Sequence, residues 1–157
     1  MSSSRLLLAV LACVAAAAHA QSLPGDVTLG MTVPELQQAR PALKHVAHPA
    51  RLAGGLVGSW SDDALSVAGV ALTPTFFIGE GRLERIEYLA RDGGAANYAT
   101  LLAWGRKAWG AELASAAPEG SYATWSSGDI DAYLQLARGE QVRLVVKHRA
   151  LKDAGEL

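Results

Sequence analysis

Apolar and polar residues alternate most regularly near the end of the chain. Every second residue of 130–136 is apolar, and the same alternation returns over residues 142–146 before a polar tail from Ala150. A period of two predicts antiparallel strands with one face in water. The chain is therefore predicted to end in a β-hairpin.

A second hairpin is predicted in the middle of the chain. Residues 76–89 hold two apolar segments, and Gly79 and Gly81 between them favour a tight turn. Shorter strands are predicted at residues 56–60 and 122–125. Most of the predicted secondary structure is therefore β-sheet.

Two helices are predicted to interrupt the strands. Thr32 followed by Glu35 has the spacing of a capping box, and Pro41 ends that helix early. Over residues 97–109 the apolar side chains recur at helical spacing, and Gly110 suits a C-terminal cap.

The order of elements is helix, strands, helix, strands. This order predicts an α+β fold in which two helices pack on one face of an antiparallel sheet. Segments 30–92 and 95–149 are expected to be two loose copies of a helix-plus-meander unit. Residues 21–157 are therefore expected to form one α+β domain.

The first twenty residues have the three parts of a cleavable secretory signal peptide. Arg5 supplies a positive charge, residues 6–18 form an unbroken apolar run, and small residues precede a cleavage site between Ala20 and Gln21. The apolar run is shorter than the ~20 residues of a permanent membrane helix. We therefore expect an exported protein, periplasmic or secreted, without a membrane span.

Cys13, the single cysteine of the chain, offers a second route of processing. Residues 10–13 match a lipoprotein-processing box imperfectly, and alanines follow where a polar tether is expected. Removal of Cys13 with the signal is favoured, and lipid anchoring is the alternative. Cleavage after Ala20 leaves a domain without cysteine, which its core alone must stabilise.

Charge limits the choice of partners. The chain has 14 basic and 15 acidic side chains, and loss of Arg5 with the signal takes the net charge from −1 to −2. Nucleic acids and anionic membranes bind basic surfaces. Neither is expected as the main partner.

Residues 29–36, Leu-Gly-Met-Thr-Val-Pro-Glu-Leu, resemble the opening of the BamE (SmpA/OmlA) proteins and of the β-lactamase-inhibitor-protein-like superfamily around them. Their pattern continues with a tryptophan and a hairpin, to which Trp60 and residues 77–86 look similar. The resemblance implies a small exported protein with helices on an antiparallel sheet that binds other envelope proteins. Its known members include assembly-factor subunits and enzyme inhibitors. The imperfect lipidation box and the second unit depart from BamE and argue against outer-membrane assembly.

His45 and His48 are the candidate metal ligands, spaced as His-x-x-His. Protein zinc sites use three or four ligands, and neither a cysteine nor a nearby acidic residue joins this pair. His148 is a third ligand only if the fold brings the ends of the chain together. The pattern favours solvated loop histidines, so no metal and no cofactor is expected.

Two pairs of carboxylates are candidate acid–base groups, Asp62 with Asp63 and Asp129 with Asp131. Neighbouring residues on a strand point to opposite faces, so Asp62 and Asp63 are not expected to converge. Asp129 lies in a predicted turn, where aspartate favours local hydrogen bonds. The chain has no Gly-x-Ser-x-Gly motif, so no catalytic residues are predicted.

The aromatic residues are the best indication of a binding surface. Trp109 lies on the apolar face of the second predicted helix, with Trp104 at the edge of that face. Trp60 and Trp125 follow short strands and precede serine-containing turns, and Tyr133 is expected on the outward face of its strand. Exposed aromatics are typical binding anchors, so these three are the candidate binding residues. The alternative is that all four tryptophans cover the core.

These features favour a non-catalytic protein-binding module of the periplasm or the extracellular space, such as an inhibitor or accessory of an envelope protein. Its partner is expected to be another envelope or extracellular protein, and no oligomeric state is predicted. A small hydrolase with an unrecognised site and a lipid-anchored component of envelope assembly are the alternatives.

The signal peptide can be tested by mass spectrometry of protein recovered from the periplasm of a Gram-negative host. We expect the first residue to be Gln21, because small residues at positions 18 and 20 fit signal peptidase. An Ala18→Leu, Ala20→Leu double variant should retain the leader. A native chain that starts at Met1 or at an acylated Cys13 would contradict the prediction.

Overall fold

The computed structural model describes residues 23–63, 65–117, 120–138 and 140–149. The signal segment, Cys13, the cleavage site and the tail from Ala150 lie outside the described residues. Within them the fold is α+β and mostly sheet. The helices are α1 (Val33–Ala39) and α2 (Ala95–Trp109), and the strands are β1 (Lys44–His45), β2 (Val57–Ser61), β3 (Leu65–Val67), β4 (Val70–Gly79), β5 (Arg82–Ala90), β6 (Leu113–Ala117), β7 (Gly120–Ser127), β8 (Ile130–Ala137) and β9 (Val142–His148).

The described strands form one antiparallel sheet. Eight of them follow the order β1-β2-β4-β5-β9-β8-β7-β6, and β3 pairs with the start of β4. Each half of the chain thus forms its own meander. The halves join where β5 pairs with β9, with Glu87 opposite Val145.

The predicted hairpins are present, and one glycine has a different role from the predicted one. In the turn between β4 and β5, Glu80 and Gly81 take φ values of 49° and 78°. Gly79 ends β4, and a Cβ atom there would lie 2.7 Å from Leu56 Cδ2. Gly79 is therefore required for close packing, and the left-handed conformations belong to the two residues after it.

The capping box predicted for the first helix is confirmed. The Thr32 amide donates to Glu35 Oε2 at 2.7 Å, and the Glu35 amide donates back to Thr32 Oγ1 at 3.5 Å. The helix has seven residues, too few to be stable alone. Its Leu36 side chain is fully buried in the core, and this burial stabilises α1.

The second helix approaches the sheet closely at Gly105. A Cβ atom there would lie 2.7 Å from the Trp125 ring of β7, so only glycine allows this contact without a shift. Leu101, one turn earlier, is also buried. The Trp125 Nε1 atom donates to the Gly110 carbonyl at 3.1 Å, which ties the end of α2 to β7.

One hydrophobic core joins both halves of the chain. It takes Leu36 and Leu101 from the helices and alternate side chains from strands β3 to β5 and β7 to β9. Tyr88 is fully buried there and donates to the Pro24 carbonyl at 3.1 Å. Burial raises the pKa of the Tyr88 phenol, so this residue stays a neutral donor.

Neither helix of the described part of the chain combines the length and the apolar sequence that crossing a membrane requires.

The ion pair of Asp62 with Arg40, next to the first helix, is expected to contribute to stability. Asp62 is 1% exposed and accepts from Arg40 Nε at 2.9 Å, whereas Asp63 pairs with Lys44 in solvent. Asp62→Asn should lower the free energy of unfolding by about 3 kcal/mol, because it leaves the Arg40 charge uncompensated in a partly buried site.

Asp63→Asn is the matched control, since it removes the same charge from the adjacent residue. We expect a change of about 0.5 kcal/mol or less, because an exposed pair contributes little. Urea unfolding followed by circular dichroism measures both variants. Equal effects of the two substitutions would contradict a structural role for the pair of Asp62 with Arg40.

Candidate functional site

The sheet has a second face, opposite the core, which we call the outer face. Strand alternation places residues of the five central strands there. They include Phe77, Arg85, Glu87, Leu89, Tyr122, Asp131, Tyr133, Gln135, Arg143, Val145 and Lys147. Phe77 is 2% exposed and Val145 is fully buried, although neither belongs to the main core cluster. Neighbouring side chains on the outer face therefore pack over them.

Arg85 organises the middle of the outer face. A register shift in the pairing of β4 with β5 leaves Glu84 as an extra residue and keeps Arg85 opposite Phe77. The Arg85 guanidinium donates to Glu87 Oε1 at 2.6 and 3.0 Å and to the Tyr133 hydroxyl at 3.0 Å. It also lies about 6 Å from the ring centroids of Phe77 and Tyr133. These contacts hold Arg85 and Tyr133 in fixed positions.

Arg143 lies beside this group and is bonded less completely. Its Nη2 atom donates to Gln135 Oε1 at 3.1 Å, and its Nη1 atom is 3.8 Å from Glu87 Oε2. The Nε atom is buried and, within the described residues, has no hydrogen-bond partner. The side chain as a whole is 40% exposed, so this cation remains accessible from solvent.

Exposed large apolar side chains concentrate at this face. Leu89 and Tyr122 are 38% and 37% exposed and stand on the outer face itself. Leu52, which is 36% exposed, lines a groove at the end of the face. Leu89 and Tyr122 lie in one cross-strand row with Arg143 and Gln135 between them, so exposed apolar groups flank a polar centre on this face.

The end groove has a volume of about 750 Å³. Its lining includes the apolar side chains of Leu52 and Leu56 and the polar side chains of Glu84, Lys147 and His148. The Nδ1 atom of His148 is 2.6 Å from Glu84 Oε2. The groove has the size of a small-ligand site and opens beside the outer face.

The structure separates the three predicted binding residues. Trp125 is 4% exposed and packs under Gly105, so its expected role as an exposed anchor is wrong. Along β7, Trp125 faces the core together with Ala123. The predicted strand of four residues was too short to show which face Trp125 occupies. Trp60 is half-buried against the core and lies edge-on to His45, with ring centroids 5.0 Å apart. Tyr133 lies on the outer face, as expected from its strand.

Neither set of predicted reactive groups forms a cluster. His45 and His48 are exposed, and the described residues contain no group of three or more potential metal ligands. His148 pairs with Glu84 instead. A buried histidine beside a carboxylate, at position 45 or 48, would have supported the small-hydrolase alternative. Neither histidine is buried, so this support is missing.

The candidate carboxylates take separate partners. Asp62 and Asp63 bond to Arg40 and Lys44, on different sides of the chain. Asp131 accepts from Ser126 and from Arg149, whereas Asp129, whose side chain is 86% exposed, has Oδ2 at 4.0 Å from His148 Nε2. These contacts are typical of structural ion pairs.

The sequence interpretation missed the arginines of the outer face. Arg85 and Glu87 are the polar positions of one predicted strand, and Arg143 is a polar position of another. Alternation therefore already placed them on outward faces. The alternation does not predict that β5 and β9 are neighbours, and it is this pairing that brings the side chains together.

Comparison of the chain with family models, with curated proteins and with solved structures finds no match.

The aspartate at the margin of the outer face generates a prediction about pH. The Ser126 hydroxyl donates to Asp131 Oδ1 at 2.7 Å, and this bond, followed by that of Arg149, lowers the pKa of Asp131 below its ordinary value of 3.8. The ionised form is therefore the one that stabilises the fold. Its contribution is present above the pKa of the unfolded chain and is lost as the pH falls through the lower folded-state pKa.

Carbon-13 NMR of the Asp131 carboxyl group measures this directly. The titration midpoint should lie below 3.8, and Ser126→Ala should raise it. Ser127→Ala, one residue along, is the control and should leave the midpoint in place. A midpoint that Ser126→Ala does not move would show that the hydroxyl is not the main cause.

Proposed function

We propose that this chain is a non-catalytic binding module of the periplasm or the extracellular space, and that it binds another envelope or extracellular protein through the outer face. The observation that carries the proposal is the concentration of Leu89, Tyr122 and Tyr133 with Arg85 and Arg143 on one sheet face. Tyrosine and arginine are enriched in protein interfaces and among the residues that dominate binding energy.

The arrangement of the helices supports this choice of face. Leu36 of α1 and Leu101 of α2 enter the same core cluster as Trp125, on the opposite side of the sheet. We infer that both helices pack on that side, which leaves the outer face to a partner. The helices then support the sheet from behind and keep the binding face rigid.

The order of the strands in the two halves also supports the proposal. The strand order is mirrored about the junction of β5 with β9. Arg85 and Arg143 each lie two residues before the paired residues Glu87 and Val145. We infer that the halves are two copies of one unit and that each contributes one arginine to the centre of the face.

Export is part of the proposal, on the strength of the signal pattern in residues 1–20. The resemblance of residues 29–36 to BamE and inhibitor-like proteins points the same way, because those proteins bind other proteins. The proposal requires no metal or cofactor.

Capture of a partner from envelope extract tests the proposal. The native chain, tagged at its C-terminus, is compared with a Leu89→Asp, Tyr122→Asp double variant. Both side chains are exposed, so the variant should fold, while two charges in the centre of an interface should reduce capture at least about tenfold. Lys107→Ala, on the exposed side of α2, is the control and should capture normally.

Circular dichroism verifies the fold of each variant. Equal capture by the native chain and the double variant, or no specific capture by the native chain, would count against the outer face. Trp125→Ala is unsuitable for this purpose, because the loss of a core tryptophan destabilises by about 3–5 kcal/mol and would itself abolish binding.

A further inference from the structure

The charges on the outer face are not balanced. The outer-face side chains of β5, β9 and β8 include three cations, Arg85, Arg143 and Lys147, and two carboxylates, Glu87 and Asp131. Arg85 donates to Glu87 Oε1 at 2.6 Å, whereas the Arg143 Nη1 atom lies 3.8 Å from Glu87 Oε2. A local excess of positive charge therefore stands on a chain whose net charge is −1.

We propose that the partner presents an extended acidic segment to this face, with one carboxylate bound by Arg143 and another by Lys147. The inference rests on the proposed function and specifies the chemistry of the partner. It concerns the strip of the outer face along β9, from Arg143 to Lys147.

Arg143 has donors that the fold does not use. It bonds to the neutral amide of Gln135, and its buried Nε atom has no partner among the described residues. A guanidinium binds carboxylates through a fork of two parallel hydrogen bonds, which are stronger than a bond to an amide. The Glu87 carboxylate lies 3.8 Å from Nη1, too far for a hydrogen bond, so the Gln135 contact orients the guanidinium and leaves a hydrogen-bonded carboxylate to a ligand.

Lys147 occupies the other end of the strip. It pairs in register with Arg85 on one side and with Asp131 on the other. Asp131 is already bonded to Ser126 and Arg149, so its charge is shared. The ammonium group of Lys147 therefore retains the capacity to bind a second carboxylate.

The spacing along the strand defines the ligand. Arg143 and Lys147 lie four residues apart on the same side of β9, which corresponds to about 13 Å. Residues i and i+4 of an extended peptide have the same separation. Residue i+2 then faces the strip midway, where the Tyr133 ring lies beside the buried Val145. The expected pattern is acidic, any, apolar, any, acidic.

An acidic protein segment fits this strip better than a continuous polyanion does. Glu87 lies beside Val145, midway between Arg143 and Lys147, and Asp131 lies opposite Lys147. Both would repel the uniform charge of a nucleic acid or an anionic polysaccharide. A segment whose two carboxylates are separated by an apolar residue places that apolar residue, and no negative charge, beside Glu87. Interleaved charges of this kind select against the wrong partner.

The probe that tests the inference is the peptide acetyl-Glu-Ala-Leu-Ala-Glu-amide, titrated into the nitrogen-15-labelled chain and followed by NMR. We expect saturable shifts on β8 and β9. The dissociation constant should rise about fivefold in Arg143→Gln and in Lys147→Gln, as for loss of one exposed ion pair of about 1 kcal/mol, and not in Lys107→Gln on α2. Arg143→Lys should restore part of the binding, because it keeps the charge and loses the fork.

Three results would overturn the inference. They are the absence of saturable binding, equal binding of the acetyl-Gln-Ala-Leu-Ala-Gln-amide control, and tighter binding of a DNA duplex at the same site. The proposed function is judged separately on a captured partner. One outcome separates the two proposals. If the Arg143→Gln variant still captures the partner and the Leu89→Asp, Tyr122→Asp variant does not, the outer face remains the binding surface and the acidic segment is overturned.

Discussion

The pairing of β5 with β9 is the constraint on which the rest of the structure depends. It joins two meanders that are far apart in sequence into one sheet. On the core side it sets Ile86 opposite Val146 and Tyr88 opposite Leu144, all four buried. On the outer side the same register brings Arg85, Glu87, Arg143 and Lys147 together. One backbone pairing thus creates both the centre of the core and the candidate binding surface.

Local patterns in the sequence were sufficient for most of the fold. The capping box at Thr32, the helical spacing of residues 97–109 and the alternation in residues 130–146 each arise from contacts within one element, and the structure has the elements that they predict. β6 was missed because Leu-Ala-Ser-Ala-Ala has neither alternation nor β-branched or aromatic side chains. The order of strands lies beyond such patterns, since it is set by packing between distant segments.

The candidate site was less predictable for the same reason. Tyr133 could be assigned to the outward face because its strand alternates clearly. Trp125 was a candidate binding residue with burial in the core as the alternative, and burial is what the structure has, because Gly105 of α2 leaves space for its ring. That contact joins residues twenty positions apart, and neither residue alone indicates it. The residue types indicated which side chains could anchor a binding partner. Only the register of the sheet shows which of those side chains share a face.

The central claim, that the outer face is the binding surface, is tested most directly by hydroxyl-radical footprinting with and without a bound partner. This method reports on side chains and so distinguishes the two faces of one sheet. If the outer face binds the partner, labelling of Leu89, Tyr122 and Tyr133 falls in the complex, while labelling of Trp104 and Trp109 on α2 does not change. Protection of the two helix tryptophans with unchanged labelling of the outer-face residues would contradict it.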